Sequence, residues 1–205
     1  STKEDDVKKL IESLDPWQTI RMIYFDPPFN IGLDYSKWLS NGKSYWGNKT
    51  NDSKTKEEYT FFLEKALHNG LRYAEKDVHV FMWCDPNYIG LIQSLYESLG
   101  ITSRRVCLWV KNNMNATPNV AFNRAYEPCV YGTKWKPPLS KEFRNLHEIL
   151  DKEVWVGNQV LDDISDMFDI WLAKRLATVD YEHPTEKNPA LHEKSLKKCT
   201  NAGDT

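Results

Sequence analysis

Long apolar runs are missing from this chain of 205 residues. No segment is long enough to span a bilayer, and none has the pattern of a signal peptide, so a cytoplasmic protein is expected. A strong charge of either sign is missing too: 27 Lys and Arg stand against 29 Asp and Glu, a formal net charge of −2. Dedicated nucleic-acid binders are often basic, so bulk charge lends that class no help and leaves only a local basic face. Cysteine is sparse. Cys84, Cys107, Cys129 and Cys199 stand far apart with no C-x-x-C pair. This argues against a zinc site and predicts reduced, buried thiols. His68, His79, His147 and His192 show no metal spacing, so no metal is expected. No internal repeat is visible.

What is present suits a globular fold. Hydrophobic residues make up 40% and charged residues 27%, and the length suffices for one domain. Residues 1–14 read as an exposed helix. Ile20 to Phe25 is nearly all apolar, as in a strand covered on both faces. It stops at Asp26-Pro27-Pro28, because proline cannot donate to a ladder. Leu39 to Thr55 reads as a loop. Thr55 caps a helix with Tyr59, Phe62, Leu63, Leu67 and Leu71 at helical spacing. Val78 to Cys84 is a second buried strand. Asp85 and Pro86 start a helix that Gly100 ends. Val106 to Val110 is a third strand, Asn112 to Asn123 a polar loop, and Cys129 to Tyr131 a short fourth strand. Pro128 puts that strand at an edge or marks its start. The third and fourth strands have no helix between them and are expected to pair antiparallel. Pro189 to Cys199 reads as a last helix. Alternating strands and helices predict an α/β fold with a mainly parallel sheet flanked by helices.

In such a sheet ligands bind at the carboxyl ends of the strands. Asp26-Pro27-Pro28-Phe29 stands at one of them. One reading is a plain proline turn. The other is chemical. The exocyclic amine of a base is a poor nucleophile, since its lone pair is delocalised into the ring. Two acceptors on its N–H groups draw that pair back to nitrogen. The Asp26 carboxylate is one and the Pro27 carbonyl the other, held with little entropy to lose because proline fixes φ. Phe29 offers a face on which a base can stack.

D-P-P-F after an apolar strand resembles the catalytic motif of DNA amino-methyltransferases, which methylate adenine N6 or cytosine N4. His183-Pro184-Thr185-Glu186-Lys187 resembles the H-P-T-E-K box of that family. "RVCLWVKNN", "RAYEPCVYG" and "FDIW" resemble further family segments, so the likeness runs from about Met22 to Asp204. The order, catalytic motif first and H-P-T-E-K late, is that of the circularly permuted β class. The resemblance implies a Rossmann-like methyltransferase fold. It implies S-adenosyl-L-methionine as cofactor, near Asp26, His183, Thr185, Glu186 and Lys187, the lysine through the cofactor's carboxylate. It implies double-stranded DNA with the target base flipped out of the stack. Residues 1–132 would be the catalytic part, 133–180 a short target-recognition region and 181–205 the H-P-T-E-K box with its helix. In the recognition region Lys134, Lys136, Lys141 and Arg144 are candidates for phosphate contact. Lys111 and Glu127 receive bland readings, a solvated strand end and a structural ion pair. Cys84-Asp85-Pro86 reads as a helix start.

The chain departs from the family in two respects, the smaller being Asn188-Pro189 where the family usually has proline directly after the lysine. The family's cofactor site uses a glycine-rich loop, and no G-x-G occurs among the nine glycines here. The expectation is an incomplete fold whose first strand has an open edge, inviting self-association or a second chain. Adenine N6 is the favoured target, because cytosine enzymes more often carry serine first in the motif; cytosine N4 is the alternative. An inactive fragment or split-enzyme subunit that only binds DNA is a further one, and an unrelated α/β domain the last.

Overall fold

The computed structural model describes residues 20–32, 52–115, 124–139, 170–173, 187–201 and 204; the side chains of 112–115, 172 and 194 are outside it. The expected helix over residues 1–14 lies outside the described residues, as do most of the Leu39–Thr55 loop and most of residues 133–180.

Five strands form one sheet: β1 (Ile20–Phe25), β2 (Ala74–Trp83), β3 (Thr102–Asn115), β4 (Arg124–Lys134) and β5 (Ile170–Leu172), in the order β1-β2-β4-β3-β5. β1 runs parallel to β2 and β5 parallel to β3, while β4 is antiparallel to both neighbours. Four strands therefore point the same way and β4 alone is reversed. This is the mainly parallel α/β sheet that the pattern predicts, and the third and fourth strands pair antiparallel as expected.

Alternation along β2 explains its nearly continuous apolar run from Val78 to Trp83, which His79 alone interrupts. Val78, Val80 and Met82 face one side, with Tyr59, Leu63 and Leu67 of helix α1 (Lys56–Leu71) and Ile92, Leu95 and Tyr96 of α2 (Ile89–Ser98). Phe81 and Trp83 face the other, with Trp109, Trp171, and Leu191 and Cys199 of α3 (Pro189–Cys199). A strand covered on both faces favours apolar residues on both, and the polar exception, His79, has both ring nitrogens in hydrogen-bond contact. All four cysteines are buried and free. Burial pushes the thiols of Cys84 and Cys199 up to about 12, which keeps them protonated and inert.

Local chemistry sets the helix ends. Thr55 and Glu58 form a reciprocal capping box, at 3.2 and 3.0 Å. The Asp85 carboxylate accepts the Asn87 N–H at 3.0 Å, and Pro86 opens a short 3-10 turn, Pro86–Tyr88, ahead of α2. Gly100 ends α2 at φ +70°, a left-handed cap. Gly132 of β4 admits close contact: a Cβ there would lie 2.7 Å from Ile101 and 2.8 Å from the Tyr96 ring.

Three sequence expectations need correction. β3 and β4 run well past their apolar centres, because antiparallel pairing extends the ladder whatever the side chains are. Asn112 to Asn115 are therefore strand rather than loop. Pro128 is neither at an edge nor at a strand start; it lies inside β4, a central strand. Cys84 N–H still donates to the Pro128 carbonyl at 3.1 Å. The reciprocal bond is the one proline cannot make, and β2 leaves the ladder just there, after Trp83↔Cys129. Proline ends the pairing with β2, not β4 itself, whose other side stays paired with β3 (Leu108↔Pro128).

Candidate active site

β1, β2, β3 and β5 all finish at one end of the sheet, and β4 begins there. That end gathers charge. Asp26 follows β1. Glu127 lies early in β4, opposite Trp109 of β3, and Lys111 follows two residues after Trp109. Lys187, 161 positions from Asp26 in sequence, precedes α3 and donates to both Asp26 carboxylate oxygens at 2.9 Å. Its ammonium is also 3.6 Å from Glu127 Oε2. Lys111 Nζ is 2.6 Å from Glu127 Oε1. Two cations and two anions thus alternate in one chain, Asp26, Lys187, Glu127, Lys111.

Burial is uneven along this chain. The Lys187 side chain is 6% exposed and that of Asp26 32%. The inner lysine is enclosed by protein, and its ammonium lies 5.0 Å from the Phe29 ring centre and 5.1 Å from that of Trp83. The outer carboxylate keeps an open side. Burial raises the Asp26 carboxyl above the ordinary aspartate value, against the pull of Lys187. Burial alone would raise Glu127 as well, but Lys187 and Lys111 outweigh it and hold that carboxyl below the usual glutamate value. Burial also keeps His192, on α3, below the ordinary histidine value, opposed by Asp26.

The turn after Asp26 is fixed from behind. The Tyr59 hydroxyl donates to the Pro28 carbonyl at 2.8 Å. No described residue donates to the Pro27 carbonyl. Trp83 Nε1 donates to the Tyr24 hydroxyl at 2.6 Å beneath the site. Asp85, after β2, is 4% exposed and pairs with Arg124 at 2.9 Å.

The structure brings Asp26, Pro27, Pro28, Phe29 and Lys187 together. His183, Thr185, Glu186, Lys141 and Arg144 lie outside the described residues. Lys134 and Lys136 are not at this end: Lys134 pairs with Val78, near the start of β2, and its ammonium donates to the Leu99 carbonyl at the close of α2. Lys111 is no solvated end, being 16% exposed. The Lys111–Glu127 ion pair is real, but it is joined to the Asp26-Pro27-Pro28-Phe29 turn through Lys187. A signal for it was present in sequence. Opposite charges flank the apolar centres of two strands expected to pair antiparallel, which puts them side by side.

The family model for N6/N4 DNA methylase matches residues 20–205. This chain belongs to the DNA methylase family. The match includes every element of the charged cluster. A comparison with curated protein sequences gives no match. Among solved structures, the M1.HpyAVI–SAM complex shares 16% identity with a TM-score of 0.54, over 100% of this chain and 76% of that one. M1.HpyAVI is similar at 16% identity and a TM-score of 0.57, over 98% of this chain and 72% of that one. At that identity the likeness is one of fold. It agrees with the α/β sheet of this methylase.

Proposed function

We propose that this methylase transfers a methyl group from S-adenosyl-L-methionine to the exocyclic amine of a base flipped out of double-stranded DNA, with adenine N6 as the target. The observation that carries the reading is the Lys187 ammonium 2.9 Å from both oxygens of Asp26. It unites two motifs that lie 161 residues apart in sequence, at the end of the sheet where α/β enzymes bind ligands.

The site fits the cofactor's charge. Asp26 keeps about a third of its side chain open, and Phe29 adds a ring face. A carboxylate beside an aromatic face suits a sulfonium cation. When bound, the cofactor supplies an electrophilic methyl group. Asp26, with His183, Thr185, Glu186 and Lys187, would hold it.

The remaining work belongs to this chain. The flipped base stacks on Phe29. Its amine donates one N–H to Asp26 and one to the Pro27 carbonyl, so the lone pair concentrates on nitrogen and points away from both acceptors. Lys187 keeps Asp26 in its ionised, accepting form and fixes its rotamer, while Glu127 adds a second anion beside Lys187 and is itself paired with Lys111. As the N–C bond forms, the bond from the methyl to sulfur would break and leave its electron pair on a neutral thioether; the amine nitrogen becomes cationic and must shed a proton. Asp26 is the acceptor already bonded to it, and its raised proton affinity favours that role. Recognition of the surrounding sequence would fall to residues 133–180.

The test is the product. The chain is incubated with methyl-labelled S-adenosyl-L-methionine and unmethylated DNA, and the DNA is digested to nucleosides. Label in N6-methyl-2′-deoxyadenosine supports the reading. Label in N4-methyl-2′-deoxycytidine moves the target to cytosine. Label at cytosine C5, or none, overturns it.

A further inference from the structure

Asn30 follows Phe29 with φ +55°, in the left-handed region. Every polar group it has is engaged. Its backbone N–H donates to Asp52 Oδ1 at 2.8 Å. Its carbonyl accepts the Tyr88 hydroxyl at 3.2 Å. Its side-chain oxygen accepts the Lys54 N–H at 2.6 Å. Its side-chain amide donates to the Lys54 carbonyl at 3.0 Å and to the Tyr88 hydroxyl at 3.1 Å. Asp52 continues the grip: Oδ2 accepts the Ile31 N–H at 3.2 Å and the backbone carbonyl accepts the Gly32 N–H at 3.0 Å. Asp52 is 2% exposed, a degree of burial that carboxylates rarely reach without partners.

We propose that Asn30 and Asp52 are positioning residues that aim the Phe29 ring at the flipped base. This rests on the function proposed above. Phe29 is bracketed by two tied carbonyls: Tyr59 holds that of Pro28, Tyr88 holds that of Asn30, and the two tyrosine rings meet at 4.9 Å. The Pro28–Phe29 peptide is held through its carbonyl and the Phe29–Asn30 peptide through the Asn30 N–H on Asp52, so the backbone of Phe29 has little freedom left. The residue types follow from the geometry. Asparagine tolerates the left-handed region better than most residues. Glycine would reach that φ but drop all three side-chain bonds. Aspartate would keep the φ but could not donate to the Lys54 carbonyl. Asp52 supplies two oxygens spaced for two consecutive N–H groups, which a neutral amide could serve only in part. None of these residues touches the amine or the methyl donor, so their effect should be on the rate of the transfer step.

The test uses Asp52→Ala, Asp52→Asn and Asn30→Asp in the full chain, with amide hydrogen exchange at residues 30–32 and methyl transfer resolved into kcat and KM. Asp52→Ala should lose most of the protection at Asn30 and Ile31. It should lower kcat about 10- to 100-fold, the scale of a small misplacement of reacting groups, with KM for the cofactor within about twofold. Asp52→Asn should recover part of both. Unchanged protection would overturn the proposal, as would full kcat without protection, or a parallel loss of kcat, KM and melting temperature that marks general unfolding. A wild-type chain that transfers nothing would refute the functional reading, while the exchange measurement would still decide whether Asp52 holds this turn.

Discussion

The two ends of the sheet use the same residue type in opposite ways. At the end where β1, β2, β3 and β5 finish, Lys187 is enclosed, bonded to Asp26 and linked through Glu127 to Lys111. At the other end Lys134 serves a helix carbonyl, and the Lys76 ammonium lies 3.9 Å over the exposed Trp135 ring. The far-end lysines keep their charge cheaply, in contact with water. The near-end charges have given up water, and only their pairing offsets that cost. A protein that needed only a stable sheet would have no use for the second arrangement. Enclosed, paired charge beside an open carboxylate is the mark of a site rather than of a scaffold.

The largest effect should come from the open carboxylate. Asp26→Ala should reduce methyl transfer by about 100- to 1000-fold, the scale seen when a key transition-state contact is removed, with DNA affinity changed only severalfold. Initial rates and a binding titration check this. Next is the enclosed lysine. Lys187→Met leaves Asp26 and Glu127 facing each other without their shared cation and should cost about 3–5 kcal/mol. Lys134→Ala, at the far end, should cost about 0.3–1 kcal/mol, the worth of a cation at a helix C-terminus. Urea unfolding of both variants measures the contrast, and equal losses would erase it.

A change away from both ends should fall between. Gly132→Ala forces a methyl against Tyr96 and Ile101 and should cost about 1–3 kcal/mol by overpacking. The smallest effect is in pH. His79 is buried, with its ring nitrogens on the Tyr131 hydroxyl and the Pro138 carbonyl, and burial holds it below the ordinary histidine value. The fold keeps it neutral while the unfolded chain takes up a proton near about 6.5. Its contribution is therefore complete above that value and lost as pH falls below it. Unfolding at pH 7.5 and 5.5 should show a smaller drop in His79→Phe than in the parent chain.

Much of this was legible in sequence. The apolar run ending in Asp-Pro-Pro marks β1, Thr55 and the Tyr59 stripe mark α1, and Asp85-Pro86 and Gly100 bracket α2. Each depends on residues near in sequence, where cause and effect share a window. The lengths of β3 and β4 were not legible, because their polar ends are held by the partner strand. Pro128 misled for the same reason: its missing N–H matters on one side of β4 only, and which side depends on register. The site was half legible. Asp26 to Phe29 announce themselves, but the contact of Lys187 with Asp26 spans 161 positions and shows in neither segment alone. The link of Glu127 to Lys187 and the grip of Asp52 on Asn30 and Ile31 depend on contacts that no local pattern encodes.

The most direct test of the central claim, that two distant segments converge on one carboxylate, is a double-mutant cycle. The unfolding free energies of the parent chain, Asp26→Asn, Lys187→Met and the double variant are compared. A paired Asp26 and Lys187 predict a coupling energy of about 1.5–3 kcal/mol. Strictly additive losses would mean that the two groups do not meet, and would contradict the site described here.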